Sequence, residues 1–185
     1  LANETLKMAR IAGLGAAEAT DMMTAALRGF NMEINQQSAQ KINDIYSELA
    51  AITASDTAEI GSAMERTASI ANSANMEFAT TSAFLAQMIE TTREAPENLG
   101  TAMKTIIAGF EDMKKDPNAL IDGASANKVE AALATIGIAL RDTAGEFRPL
   151  QDVFDELGVK WNTLSRNQQA YIATVAAGSR QQSQS

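Results

Sequence analysis

The stretch Ile138-Ala139-Leu140-Arg141-Asp142-Thr143-Ala144-Gly145-Glu146-Phe147-Arg148-Pro149-Leu150 breaks an otherwise helical pattern. Its first four residues alternate as a short strand does. Asp142–Gly145 has the composition of a turn, because aspartate bonds to its own backbone and glycine accepts a positive φ without steric cost. Glu146-Phe147 can pair back, so we predict one short β-hairpin near residues 138–148. Pro149 suits the start of the next helix, where an N–H would lack a partner anyway.

A helix is predicted immediately before this hairpin. Asn127 is a candidate N-cap, and Glu130 stands three residues further on, as in a capping box. Leu133 and Ile136 then share one face of the helix. Gly137 can supply the left-handed residue that ends it.

Two helices are predicted after the hairpin, and they complete a helix–hairpin–helix–helix unit over residues 128–178. The first helix ends at Gly158 and has a single apolar face, made of Leu150, Val153, Phe154 and Leu157. The connector that follows contains Trp161, which we expect to be a buried plug. Ser165-Arg166-Asn167-Gln168 has the form of a capping box and opens the last helix, which runs to Gly178.

The chain before this unit predicts helices in angled pairs. Ser55-Asp56 with Glu59 has the form of another capping box, and Pro96 can be the first residue of a helix. The helix after Pro96 has the clearest apolar stripe in the chain: Leu99, Met103, Ile106, Ile107, Phe110 and Met113. The longest loop is expected at Asp116–Ala126. Further helix boundaries are expected at Gly13, Gly29, Asn75 and Thr80 or Thr81.

These patterns predict an all-α fold, a bundle of about eight helices in angled pairs with one short β-hairpin. A chain of 185 residues suits one domain, so we expect residues 1–185 to form a single helical domain. The lack of an initiator methionine indicates a fragment of a longer chain. Alanine is abundant and aromatic residues are only 5%, so each buried side chain contributes little area and self-association is possible.

Composition excludes several classes of function. The net charge of −8 disfavours general nucleic-acid binding, because the surface repels phosphate. The chain has no cysteine and no histidine, which removes thiol chemistry, the common serine-hydrolase triad and the usual zinc ligands. No apolar run approaches the length of a membrane span. We therefore predict no cofactor, no metal and no membrane segment.

Clustered charges are interpreted as solvated surface, so no catalytic, cofactor-binding or metal-binding residue is predicted. Paired carboxylates can run acid–base chemistry or bind a metal, but charges opposite an apolar stripe are usually solvated. Asp142 is expected to fix its own turn, and Arg148 to bond carbonyl groups or a nearby carboxylate. The acidic clusters are Glu111-Asp112, Asp142 with Glu146, and Asp152, Asp155 and Glu156; the basic ones are Lys114-Lys115 and Arg141 with Arg148.

Nine methionines could form an adaptable binding surface, but most lie at stripe positions, which favours a role in the core. Met8 and Met32 are the two whose exposure would indicate a binding surface instead. The segment Gly13-Leu14-Gly15 lacks a third glycine and a preceding strand, so helix termination is favoured over a phosphate loop.

The ordered set of motifs resembles a known family. The motifs of this set are Gly145-Glu146-Phe147-Arg148-Pro149-Leu150, Asp152–Leu157, Leu164-Ser165 and Ala177-Gly178, with Glu18–Asp21 and Thr101–Thr105 upstream. In this order they resemble the core region of phage tail tape-measure proteins. The resemblance spans nearly the whole chain.

This resemblance implies a structural, non-enzymatic role in a phage or prophage tail. Tape-measure proteins are long helical chains that lie in several copies in the tail lumen and set the tail length. The implied neighbours are tail-tube, tail-chaperone and baseplate proteins. The implied location is the virion tail, with the bacterial host cytoplasm as the site of assembly.

Two other functions remain open from the residues alone. A helical adaptor module would bind a partner helix in an apolar groove. An enzyme that uses only carboxyl and hydroxyl groups, such as a glycosidase, would need a cleft with two facing carboxyls.

Overall fold

Nine α-helices make up most of residues 1–116 and 123–177, the ranges that this computed structural model describes. No β-strand occurs in these ranges. The mostly helical fold is confirmed, with nine helices where about eight were expected. In chain order they are α1 Ala2–Ala12, α2 Ala16–Gly29, α3 Gln36–Ile52, α4 Thr57–Ser73, α5 Phe78–Thr92, α6 Pro96–Lys115, α7 Gly123–Ala134, α8 Leu150–Trp161 and α9 Arg166–Ala177.

The predicted β-hairpin near residues 138–148 is wrong. The segment contains only an isolated antiparallel bridge between Arg141 and Phe147. One backbone hydrogen bond on each side, of 2.8 and 2.9 Å, flanks this bridge. The turn has the predicted glycine, Gly145, at φ 84°. Strands do not form because Pro149, which has no N–H, ends the pairing at once, and a short isolated two-stranded ladder is marginal in water.

The end of α8 also differs from the sequence prediction. The helix continues through Gly158 to Trp161, whose side chain is only 3% exposed. A glycine inside a helix costs about 1 kcal/mol relative to alanine. Burying a large apolar side chain contributes about 1.5–3 kcal/mol, so the packing of Trp161 outweighs the glycine.

The start of α5 lies upstream of the predicted caps. The helix begins at Phe78 instead of at Thr80 or Thr81. Phe78 is buried, and its ring centroid is 5.4 Å from those of both Phe30 and Tyr46. Because Phe78 packs in this aromatic cluster, the first turn of α5 lies in the core.

The start of α7 also lies upstream of its predicted cap. The helix begins at Gly123, so Asn127 lies inside it, and the last four residues of the predicted loop Asp116–Ala126 are helical. The alanines that precede Asn127 have high helix propensity. Residues 117–122, and the predicted helix end at Gly178, lie outside the described residues.

Several predicted helix boundaries are confirmed. Asp56 and Glu59 form a reciprocal capping box, with bonds of 2.8 and 3.1 Å. Ser165 and Gln168 form the same arrangement ahead of α9, with bonds of 3.1 and 2.9 Å. Asn75 follows α4 with φ 59°.

Glycines bring α4 into close contact with two neighbouring helices. A Cβ on Gly100 of α6 would overlap the carbonyl oxygen of Ala63 in α4. The hydroxyl of Thr67 lies 3.0 Å from that oxygen and 3.2 Å from the oxygen of Gly100, so it donates at the same contact. On α4, Gly61 faces the side chain of Met22 in α2 in the same way. Small residues therefore set the spacing of α2, α4 and α6.

Helices α8 and α9 pack against helices from the middle of the chain. The rings of Phe84 in α5 and Phe154 in α8 meet edge to face, 4.8 Å between centroids. The side chain of Gln151 accepts a bond from the N–H of Glu77 at 2.7 Å and donates to Thr80 at 2.6 Å. Helix α9 lies against α5, α6 and α7.

Arg148 joins the bridge segment to α8, as its sequence context predicted. Its guanidinium donates to the oxygen of Ala139 at 2.7 Å and to the carboxylate of Glu156 at 2.8 Å. Lys160 lies 3.8 Å from the same carboxylate and donates to the oxygen of Ile136 at 3.3 Å. The two cations thereby hold the end of α7 and the bridge segment against α8.

We predict opposite effects for the same substitution at two helical glycines. Gly100→Ala should lower the free energy of unfolding by about 1–3 kcal/mol, because the new methyl group meets main-chain atoms that cannot move aside. Gly158→Ala should raise it by about 0.5–1 kcal/mol, since nothing lies within 4 Å of the added Cβ. Urea denaturation followed by circular dichroism measures both, and equal shifts would contradict the close contact of α4 with α6.

We also predict that Arg148→Ala lowers the free energy of unfolding by about 1–3 kcal/mol, because two charge-assisted hydrogen bonds are lost. Arg166→Ala is the control, as Arg166 is exposed at the start of α9. Urea denaturation should leave the control within about 0.5 kcal/mol of the unaltered chain. Equal destabilisation of both variants would show that Arg148 acts only through net charge.

Candidate functional site

Several carboxylates of the acidic clusters noted in the sequence have structural roles. Glu111 pairs with Lys114 at 3.3 Å. Asp142 accepts two N–H groups of its own turn, at 2.9 and 3.0 Å, as predicted. Asp155 accepts bonds from side chains on α5 and α8, and Glu156 accepts the guanidinium described above. These clusters are not brought together in one cleft.

Arg141 and the two methionines likewise have structural contacts. Arg141 bonds Glu130 at 3.0 Å and lies 4.1 Å above the ring of Phe147. Met8 is fully buried and Met32 is half-buried, packed against the core. Their burial favours the core role over a methionine-rich binding surface.

A groove lies where α2, α4 and the start of α6 converge. Its volume is about 430 Å³. We call it the acidic groove. Its carboxylates are Glu18, Asp21, Glu59, Glu65 and Glu97, and its remaining lining is Leu14, Met22, Ala58, Ser62 and Pro96.

The walls of the acidic groove are held by features already described. The contact of Gly61 with Met22 fixes the spacing of α2 and α4. The capping box orients Glu59 at the first turn of α4. The hydroxyl of Ser62 donates to Glu97 at 3.0 Å, which links α4 to the first turn of α6. The groove is therefore part of the helix packing and not a gap between loops.

Negative charge in the acidic groove is poorly compensated. Partial burial raises the pKa of Glu65, Asp21 and Glu97 raise it further, and the nearby charge of Arg66 opposes them. Partial burial and then Asp56 raise the pKa of Glu59. By contrast, hydrogen bonds from its own backbone and from Ser62 lower the pKa of Glu97.

No ion pair involves the five groove carboxylates within residues 1–116 and 123–177. In the same part of the chain, no group of acidic residues has an arrangement suited to a metal ion. The charges of Arg66, near Glu65 and Glu97, and of Arg93, near Glu59, offset part of this negative charge without pairing directly with a groove carboxylate.

Sequence reasoning did not find the acidic groove. Its carboxylates come from three helices, and each one has the ordinary spacing of a solvated helix face. Their convergence depends on the approach of α2 to α4 at Gly61, which no local pattern encodes. The spacing of Glu18 and Asp21, one turn apart on α2, was the only local signal.

Comparison with known proteins adds the biological setting. A family model described as phage-related minor tail protein matches residues 1–178. The chain belongs to the phage-related minor tail protein family. No solved structure matches it.

As a phage minor tail protein, the chain has a structural role in the tail of the virion, in contact with other tail components. Among the helices described here, none is long and apolar enough to cross a membrane.

We predict that Glu65→Gln stabilises the tail protein at pH 7 but not at acid pH. A raised pKa in the folded state means that ionised Glu65 destabilises the fold above that pKa, and that this effect disappears below the ordinary value of 4.5. The gain should stay below about 1 kcal/mol, because the side chain is largely exposed to screening solvent. Urea unfolding at pH 7 and pH 4 measures it.

Glu48→Gln is the matched control, since it removes one exposed carboxylate of α3 outside the groove. A Glu65→Gln gain that persists unchanged at pH 4, or that equals the control at pH 7, would rule out the electrostatic explanation.

Proposed function

We propose that the chain is the helical core part of a tape-measure protein, whose parent chain sets the length of the phage tail. The observation that carries this proposal is the order of elements near the C-terminal end. Helix α7, the turn at the Arg141–Phe147 bridge, the proline-led α8 and the capped α9 follow one another in the order that the resemblance to tape-measure proteins implies. The family match over residues 1–178 supports a tail role for the same region.

The role that we propose is structural and non-catalytic. Support comes from the sequence, which offers no histidine and no cysteine as a general base, nucleophile or soft metal ligand. The sequence-noted carboxylates that could have formed an acid–base pair, such as Asp142 and Glu156, are engaged in hydrogen bonds that stabilise the fold.

The partners that we propose are the tail-tube, tail-chaperone and baseplate proteins. In this proposal several copies assemble in the host cytoplasm and come to lie in the tail lumen. The net charge of −8 fits a protein that passing DNA displaces, because an acidic surface does not retain phosphate.

Tail length in electron micrographs tests the proposal. A helical segment inserted in the parent gene directly after the codon for Ser185 of this sequence should lengthen the tail by about 1.5 Å per added residue, the rise of an α-helix. A series of two insert lengths should give two proportional increments. An insert of the same length made of Gly and Ser, which does not form a rigid helix, is the control.

Tails of unchanged length in particles that contain the extended protein would overturn the length-setting role. The chain would then remain a minor tail protein with a fixed position in the tail.

A further inference from the structure

We propose that the acidic groove is a docking site for a cationic amphipathic segment of another tail protein. The segment would carry Lys or Arg residues on both sides of at least one large apolar side chain. This inference goes beyond length determination, since it concerns one surface of the chain and holds whether or not the chain measures the tail.

The charges of the acidic groove select a cationic occupant. Five carboxylates surround a space of about 430 Å³, and none forms an ion pair in the described ranges. Glu65 lies close enough to Asp21 and Glu97 for their charges to disfavour its ionisation. A cation placed between these carboxylates would relieve that repulsion.

The apolar residues that line the acidic groove, which we call its floor, favour an apolar side chain between the cations. Leu14, Ala58 and Pro96 line it together with the buried side chain of Met22. A strongly hydrated small cation would leave these apolar groups uncovered. A peptide segment that places an apolar residue on the floor and its charges at the rim covers both kinds of surface.

The size of the acidic groove suits a short segment. Its volume falls at the lower end of the range of about 300–1,000 Å³ that is typical of ligand pockets. It therefore fits a few side chains of an extended or helical segment, and not the flat face of a domain.

A second copy of this chain is the less favoured occupant. Each copy has a net charge of −8, so two copies repel one another at neutral pH. The exposed Lys7 and Arg10 of α1 supply cations, but they bring the acidic remainder of the chain with them. A basic segment of a different protein has no such penalty.

Isothermal titration calorimetry with a model peptide tests the inference. The probe is an amphipathic helical peptide of Lys and Leu, and the comparison peptides replace Lys by Glu or Leu by Ser. The Lys–Leu peptide should bind, with an affinity that falls as salt rises. The Glu–Leu peptide should not bind, and the Lys–Ser peptide should bind at least about tenfold more weakly because the floor stays uncovered.

Two charge-matched triple variants locate the binding. The rim variant, Glu18→Gln with Asp21→Asn and Glu65→Gln, should weaken binding of the Lys–Leu peptide at least about tenfold. The control variant, Asp44→Asn with Glu48→Gln and Glu146→Gln, removes the same number of exposed carboxylates outside the groove and should bind as the unaltered chain does. Circular dichroism checks that both variants remain helical.

A third variant separates shape from charge. Ala58→Leu narrows the acidic groove without changing its charge, and Ala58 is half-buried on a helix that tolerates leucine. It should weaken binding of the Lys–Leu peptide more than binding of the Lys–Ser peptide.

Three outcomes would overturn the inference. Equal losses in the rim and control variants would mean that net charge alone attracts the peptide. Equal affinity for the Lys–Leu and Lys–Ser peptides, unaffected by Ala58→Leu, would mean that the floor takes no part. Self-association of the unaltered chain by light scattering, abolished in the rim variant alone, would assign the groove to a second copy.

Discussion

The close approach of α4 and α6 is the constraint on which the other contacts depend. Gly100 leaves no side chain between the two backbones, and the hydroxyl of Thr67 donates where the two carbonyl groups face each other. With α6 held at this distance, α4 can also receive α2 across Gly61 and α5 along its remaining face. The convergence of α2, α4 and the first turn of α6, and hence the acidic groove, follows from these spacings.

Small side chains shape the rest of the core in the same way. Alanines such as Ala63, Ala68 and Ala86 are buried to 2% exposure or less, and methionines such as Met8 and Met64 fill the irregular spaces left between helices. Close backbone approach replaces the large aromatic contacts that many domains use, since aromatic residues are only 5% of this chain. Stability therefore depends on many close contacts, each of which contributes little free energy. The core is for this reason sensitive to an added methyl group.

Much of the fold could be predicted because its signals are local. The capping boxes at Asp56 and Ser165 each lie within a few residues, and the apolar stripe that begins at Leu99 repeats along a single helix. The errors arose where tertiary contacts outweigh local preference. Helix α8 continues past Gly158 to Trp161, and α5 begins at Phe78, upstream of the predicted caps. In both places burial of the aromatic side chain stabilises the fold by more than the helical glycine or the missing cap destabilises it. The acidic groove was inaccessible to sequence reasoning, since its carboxylates converge only after three helices have packed.

The position of α9 has a consequence for the order of synthesis. Its residues Ala176 and Ala177 line a small space together with Phe84, Met88 and Leu99 of α5 and α6, which leave the ribosome much earlier. During translation these apolar side chains remain exposed until α9 emerges. The nascent chain thus passes through a period in which aggregation competes with folding, and slow translation of α7 and α8 would prolong that period.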